Sequence, residues 1–425
     1  MFDSASLDEW LAYLEQLHPT EIEMGLDRIR QVYDRLVQGK LAKQVIVVAG
    51  TNGKGTSCAL LASYAKQLGM SCGLYSSPHL IDFNERVQVD QIPVSDESLV
   101  QAFKAVEQAR ENISLTYFEF TTLAAFKVFK DQNLDVAVLE IGLGGRLDAV
   151  NVVDSDVSVV TSIALDHESW LGNDLNRIAL EKAGVYRSGK PAISADASAP
   201  DNLQKYAESI SADFYKAGCH YSFQLTGESQ WAWAEKGGEG LILEGLVEPD
   251  FPLSNAAAVL CAIQCLDWSI DAKTFNSALS GMSIRGRLEK FSFQGVNGLM
   301  DVAHNPHAAK FLARKLESLS LTDKPMVILG SMADKDIDGV VEVLKNRFSG
   351  WLCIDLDVPR AISGKALQKK VESHGESALA FNQFNDAWQH LKAHSNRLMD
   401  DQPAVFIIGS FFTVAAAIEF FNTDR

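Results

Sequence analysis

An unbroken apolar stretch, Val45-Ile46-Val47-Val48-Ala49, runs straight into Gly50-Thr51-Asn52-Gly53-Lys54-Gly55-Thr56, and a helix-compatible segment follows from Ser57 to Leu68. Strand, glycine turn, lysine, hydroxyl and helix are the parts of a phosphate cradle. Glycines let backbone N–H groups close around an anion, and the helix N-terminus adds partial positive charge. The lysine reaches the outer phosphates and the hydroxyl can ligate Mg²⁺. The match to the usual P-loop is imperfect. Val48 stands where that pattern wants its first glycine, and Gly55 where it wants the hydroxyl. In an ordinary loop these letters would mean little; the strand-to-helix context is what favours phosphate binding.

The rest of the chain alternates in the same way. Residues 6–38 read as two helices around a turn at His18-Pro19-Thr20. Strands are expected at 72–75, 136–140 and 157–162, with helices at 95–112 and 118–131. Such alternation implies a largely parallel sheet. Residues 213–252 instead carry short alternating runs punctuated by glycine, which predicts a small antiparallel insertion. A helix resumes at Ser254, where Ser254 and Asn255 can cap it through Leu266. The glycine-bearing stretch 281–298 reads as a linker. Strands at 299–303, 326–330, 351–355, 378–381 and 404–408 then predict a second doubly wound α/β domain. Domains are expected at 1–296 and 297–425. A nicotinamide enzyme is a poor hypothesis, because Gly142-Leu143-Gly144-Gly145-Arg146-Leu147 lacks the last glycine of the dinucleotide fingerprint.

Composition narrows the function. A length of 425 residues calls for two or three domains, and 47% hydrophobic residues supply normal cores. Net charge is −17, most of it upstream of Leu299, so a broad nucleic-acid-binding face is excluded. Anionic ligands must be held by local positive spots or by metal. No stretch approaches the roughly 20 uncharged apolar residues of a membrane span, and the acidic, amphipathic N-terminus does not fit a secretory signal. The six cysteines make no C-x-x-C pair and read as buried free thiols in a reducing cytoplasm.

Several residues can carry chemistry, each with a plainer reading beside it. Glu140 ends an apolar strand, as does the acid that holds Mg²⁺ beside a P-loop; it can also be a surface charge. Ser76 and Ser77 end a strand on the same presumed edge and can be metal ligands or turn residues. His167 can bind a divalent ion or be solvated. Lys182 would ordinarily be a helix-surface lysine. Arg287 can reach a phosphate or hold a domain interface. Asp301 can hold ribose hydroxyls, and Pro306 suits the start of the next helix. His304 and His307 could suggest metal, although a turn histidine and a helix histidine is the better reading. Tyr117-Phe118-Glu119-Phe120-Thr121 suits a planar heterocycle or the core face of a helix.

Together and in order, the motifs are Gly25-Leu26-Asp27-Arg28, the phosphate loop, Tyr75-Ser76-Ser77-Pro78-His79-Leu80 and Leu115-Thr116-Tyr117-Phe118-Glu119. Further on come Leu139-Glu140 through Asp148-Ala149, Leu165-Asp166-His167, Glu181-Lys182-Ala183-Gly184 and Asp301-Val302-Ala303-His304-Asn305-Pro306-His307. The chain resembles the folylpolyglutamate synthase/dihydrofolate synthase family of the Mur ligase superfamily. The resemblance implies a P-loop-type, mostly parallel sheet domain with a small β insertion, then a Rossmann-like α/β domain. It implies an ATP-dependent amide ligase that adds L-glutamate to dihydropteroate and to reduced folates through an acyl phosphate.

By family pattern, Thr51, Asn52, Gly53, Lys54, Gly55 and Thr56 hold phosphates. Asn255, Arg287 and Asp301 contact ATP, and Ser77, Glu140 and His167 ligate Mg²⁺. Lys54, Lys182 and His167 are the catalytic candidates, and Lys182 matches the family's carbamylated lysine. The pterin candidates are Glu23, Met24, Gly25 and Leu26; Thr116, Tyr117, Phe118 and Glu119; and Leu147, Asp148 and Ala149. A monovalent cation such as K⁺ is a further candidate cofactor. The expected enzyme is a cytoplasmic monomer without nucleic-acid or membrane partners, its active state requiring the two domains to close over ATP. The rivals are a monofunctional folylpolyglutamate synthase, a UDP-muramoyl peptide ligase, a nucleotide-dependent switch or transporter ATPase, and a non-catalytic relative. The 44 residues ahead of Val45 are too few for the uridine-nucleotide domain of the muramoyl ligases.

Overall fold

Along strand β1 (Gln44–Ala49), Val45, Val47 and Ala49 enter one apolar cluster while Ile46 and Val48 enter another. A strand buried on both faces belongs inside a sheet covered by helices on each side. The computed structural model describes residues 4–20, 22–237, 240–282, 284–394 and 402–423. It divides into units Met1–Ser283 and Ile284–Arg425.

In the first unit β1 is followed by β2 (Cys72–Tyr75), β3 (Val87–Val89), β4 (Ile92–Pro93), β5 (Val136–Glu140), β6 (Val157–Val160), β7 (Pro191–Ser194) and β8 (Asp213–Lys216). They form one sheet in the order β4-β3-β2-β5-β1-β6-β7-β8. The β2-β5-β1-β6-β7-β8 run is parallel, and β3 and β4 add antiparallel at one edge. Register matters for function. Val48 pairs with Glu140, Ala49 with Val160, and Tyr75 with Leu139. The phosphate loop, Ser76-Ser77, Glu140 and Thr161 therefore leave the sheet at one C-terminal edge.

The N-terminal helix Leu7–Leu14 is held by a capping box between Ser6 and Glu9, and its buried Trp10 meets Phe103 edge-on at 5.9 Å. The antiparallel insertion is narrower than 213–252. Asp213–Lys216 joins the large sheet in parallel with β7, because its backbone continues the ladder there. Only β9 (Tyr221–Gly227), β10 (Gln230–Glu235) and β11 (Ile242–Val247) form the separate sheet. It seats Trp233 against the Leu253–Cys265 helix, the indole N–H donating to the Ala257 carbonyl at 3.1 Å. That helix starts after Pro252, so Asn255 lies buried inside its first turn rather than at its cap.

The second unit carries β12 (Glu289–Phe293), β13 (Val296–Asp301), β14 (Met326–Leu329), β15 (Gly350–Ile354), β16 (Ala378–Phe381) and β17 (Val405–Ile408). Their order is β12-β13-β17-β14-β15-β16, parallel except for the β12–β13 hairpin. The stretch read as a linker is thus largely structured. Alternate β12 residues Glu289, Phe291 and Phe293 are half-buried, and Gly295 at φ +77 turns the chain back. Pro306 opens the helix Pro306–Ser318, with Asn305 as its cap. The six cysteines are free thiols; Cys58, Cys72, Cys261 and Cys353 are buried, whereas Cys219 is exposed. Among the described residues, no helix is long and apolar enough to cross a membrane.

Candidate active site

The loop between β1 and the Lys54–Gln67 helix is bound to the segment that follows β6. Thr51 N–H donates to the Ser162 carbonyl at 2.7 Å, and Asn52 N–H to the Ser162 hydroxyl at 3.0 Å. Thr161 Oγ1 donates to the Asn52 carbonyl at 2.8 Å, and the Thr51 hydroxyl to the Ala164 carbonyl at 3.1 Å. Thr161 and Ser162 were not among the expected site residues. Two hydroxyls closing an apolar strand next to β1 are the signal that could have found them. Gly53 sits at φ +89, a left-handed conformation that costs a residue with a Cβ. A Cβ there would also lie 1.9 Å from the Asn255 side-chain nitrogen. The buried Asn255 amide therefore packs directly against Gly53 of the loop.

Two lysines converge on one carbonyl. Lys54 Nζ donates to the Gly50 oxygen at 3.1 Å and to that of Thr51 at 3.3 Å, while Lys182 Nζ reaches the Gly50 oxygen at 3.0 Å. Lys182 is buried, not on a helix surface. Burial, with the Lys54 charge added, lowers its pKa to about 7. Two amines, one of them Lys54, beside a loop of glycines and a helix N-terminus can attract an anion.

Glu140 is buried at the end of β5. Its carboxylate accepts the Ser77 N–H at 3.2 Å and faces Gly55 of the loop. Ser77 and Glu140 are therefore neighbours. His167 is exposed, at φ +52, at the start of the short Glu168–Leu171 helix, and its N–H donates to Asp166. Among the described residues, no group of three His, Cys, Asp or Glu side chains converges to hold a metal. The expected metal set has two such residues and a hydroxyl, all hard or borderline donors suited to a divalent cation.

The three segments expected to hold the pterin come together. Gly25 N–H donates to the Leu147 carbonyl at 3.4 Å. Arg28 donates to the Glu23 carboxylate and carbonyl, and to Glu119 at 3.1 Å. A Cβ on Gly142 would lie 2.6 Å from Cζ of the Phe118 ring, so only glycine lets the tip of that aromatic approach the loop; the Met24 side chain lies beside Gly144. Thr116 and Glu119 close a capping box for the Tyr117–Gln132 helix, which places both while engaging their side chains. The Phe120 and Thr121 side chains belong to the core. Asp148 is buried and accepts the Leu143 and Val150 N–H groups at 2.8 and 2.9 Å. Burial raises its carboxyl to about 6 despite those bonds. Ala149 begins the short 3-10 turn that Asp148 caps.

In the second unit Asp301 ends β13, and its oxygens accept the Leu288 and Ala303 N–H groups at 3.0 and 2.8 Å. Burial raises its pKa, opposed by the nearby Arg287. The half-buried Arg287 lies 5.5 Å from the Phe411 ring centroid. His304 bonds through Nδ1 to the Val302 carbonyl at 2.9 Å, and His307 lies on the following helix.

Residues 286–411 match the family model described as Mur ligase, glutamate ligase domain. The chain is 38% identical over 422 residues to the dihydrofolate synthase/folylpolyglutamate synthase of Escherichia coli, covering 99% of this chain and 97% of that protein. A solved structure of E. coli FolC in complex with DHPP and ADP superposes with a TM-score of 0.92 at 38% identity, covering 99% of each chain. A bifunctional folylpolyglutamate synthase/dihydrofolate synthase with Mn, AMPPNP and L-glutamate bound gives 0.89 at 39% identity, covering 99% and 98%.

Proposed function

Because the chain belongs to the dihydrofolate synthase/folylpolyglutamate synthase family, we propose that it joins L-glutamate to dihydropteroate, giving dihydrofolate, and to reduced folates, giving folylpolyglutamates. It is an ATP-dependent carbon–nitrogen ligase. The observation that carries the reading is the convergence of Lys54 and Lys182 on the Gly50 carbonyl, in the unit that also ties Gly25 to Leu147 and Arg28 to Glu119.

A carboxylate is a poor electrophile until it is activated. The substrate carboxylate attacks the γ-phosphorus of ATP, the bond to the β-phosphate oxygen breaks, and an acyl phosphate and ADP form. The L-glutamate nitrogen then attacks the acyl carbon, phosphate leaves, and the amine gives up a proton. The protein's part is positioning and charge neutralisation. The Thr51–Thr56 loop, tied to Ser162 at its start and opening the Lys54–Gln67 helix, cradles the phosphates at that helix N-terminus. Lys54 follows the transferring phosphoryl group. Asn255, Arg287 and Asp301 are the further ATP contacts. Segments 23–26, 116–119 and 147–149 hold the pterin, with Phe118 as its aromatic face.

Ser77, Glu140 and His167 would hold a divalent cation, Mg²⁺ in this reading, which when bound offsets phosphate charge. Burial of Glu140 next to Gly55 fits that role. A monovalent cation such as K⁺ is a secondary cofactor. Lys182, with a pKa near 7, offers a neutral amine at working pH. Reaction with CO₂ turns it into a carbamate that supports the metal side of the site. The enzyme works in the cytoplasm as a monomer.

The test is mass spectrometry of products from ATP, Mg²⁺, L-glutamate and either dihydropteroate or tetrahydrofolate. The expected outcome is one added glutamyl residue on each. Product from tetrahydrofolate alone would leave a folylpolyglutamate synthase. Phosphate release that needs neither pterin nor glutamate would indicate a nucleotide switch.

A further inference from the structure

Arg86 lies outside every role assigned so far. It ends the short turn Phe83–Arg86, and its carbonyl accepts the N–H of Ser76, the residue that follows β2. The next residue, Ser77, donates to Glu140. Arg86 is thus fixed at the sheet edge that carries the metal candidates. Its side chain turns to the pterin side. The guanidinium lies 5.5 Å from the Phe83 ring centroid and 5.9 Å from that of Tyr117. Nε donates to His79 Nδ1 at 2.8 Å.

Those contacts hold the cation in place without neutralising it. Among the described residues Arg86 enters no ion pair. The adjacent Glu85 carboxylate accepts the backbone N–H groups of Leu80, Ile81 and Asp82 at 2.8, 3.0 and 3.1 Å. The half-buried guanidinium lies beside two aromatic rings and is anchored through Nε, which leaves its outer pair of nitrogens available as a fork. A planar carboxylate matches that fork bidentately.

We propose that Arg86 is a specificity-determining residue that pairs with the α-carboxylate of the terminal glutamyl residue on a folate substrate. This rests on the function proposed above. Two substrates share that acyl-donor site. Dihydropteroate has one carboxylate, the one that reacts. A reduced folate has a second, the α-carboxylate beside the reacting γ-carboxylate. The reacting group must stay free to attack phosphorus. A bidentate arginine on it would stabilise the ground state and blunt the nucleophile. Lys54 and Lys182 meet at Gly50 and share no partner with Arg86. The separate fork therefore suits the carboxylate that does not react.

The experiment is a cycle between protein and substrate. Full-length wild type, Arg86→Gln and Arg86→Lys are assayed with dihydropteroate, tetrahydrofolate and tetrahydropteroyl-4-aminobutyrate. The last keeps the reacting carboxylate and lacks the α-carboxylate. In Arg86→Gln, the ratio of kcat/KM for tetrahydrofolate to that for dihydropteroate should fall about 10- to 100-fold. Wild type should prefer tetrahydrofolate over the aminobutyrate analogue by a similar factor, and the glutamine variant should lose that preference. Lysine, which keeps charge but not the fork, should restore part of the ratio. Equal fractional losses on all three substrates, no loss, or independent losses from variant and analogue would each overturn the assignment. So would a raised KM for L-glutamate with every acceptor, which would point to the incoming amino acid. Wild type that makes nothing from tetrahydrofolate overturns the bifunctional reading and the proposal with it. Wild type that extends it, with a variant of unchanged ratio, overturns only the role of Arg86.

Discussion

Replacing Lys182 by methionine should make the protein more stable and less active. The side chain is 3% exposed, and burial with the neighbouring Lys54 charge lowers its pKa from 10.5 to about 7. At about 1.4 kcal/mol per tenfold, that drop opposes folding by about 5 kcal/mol at or below pH 7. Methionine fills similar volume without an ionisable group. It gives up the hydrogen bond to the Gly50 carbonyl, worth about 1 kcal/mol, but that oxygen still accepts from Lys54. The net expectation near pH 7 is a gain of about 2–4 kcal/mol. The sign of the pH dependence follows from proton binding. Between pH 7 and 10.5 the unfolded chain keeps a proton that folded Lys182 has released, so wild-type stability rises with pH over that window. The variant lacks this contribution. Its advantage should shrink by about 1.4 kcal/mol per pH unit above pH 7. The assay is calorimetric melting of both proteins in CO₂-free buffers at pH 6.5, 7.5 and 8.5, with ligase activity measured in parallel. Adding bicarbonate should raise the wild-type Tm alone, since only the lysine can form a carbamate. A variant no more stable than wild type at pH 6.5, with a pH-independent difference, would refute the argument from burial. Wild-type activity in the variant would refute the catalytic role.

Lys54→Ala should lower kcat by at least ~10²-fold while melting near wild type, because one preorganised charge at a transferring phosphoryl group is worth about 3–4 kcal/mol; near-normal turnover would remove Lys54 from the mechanism. Gly53→Ala meets both a left-handed φ of +89 and the Asn255 amide. It should cost about 1–3 kcal/mol in stability and raise the KM for ATP, read from melting curves and initial rates. Glu140→Gln should raise the Mg²⁺ concentration for half-maximal rate by about tenfold or more, with the circular-dichroism spectrum unchanged; an unaltered Mg²⁺ dependence would separate Glu140 from the metal.

Local order was legible in the sequence wherever chemistry and periodicity sit on adjacent residues. Val45 to Thr56 specify strand, turn and helix together, because burial on both faces needs a continuous apolar run and the loop needs Gly53 at positive φ. Glu140 was readable for the same reason, as an acid closing a five-residue apolar strand. The motifs also marked the segments that hold the pterin candidates. Contacts between distant segments were not readable, since no local preference encodes them. Lys182 has the helix propensity of any surface lysine; only packing carries its ammonium to Gly50, 132 residues earlier. Asn255 looked like a cap, and the fold instead buried it against Gly53. The 281–298 stretch looked like a linker because β12 is short and half-buried; only its pairing with β13 makes a hairpin of it. Arg28 and Arg86 are ordinary cations in the sequence, and only the folded chain sets one between Glu23 and Glu119 and the other on the Tyr117 ring. Secondary structure follows from side-chain period and backbone sterics within a few residues, whereas charge position and pKa depend on what burial brings near.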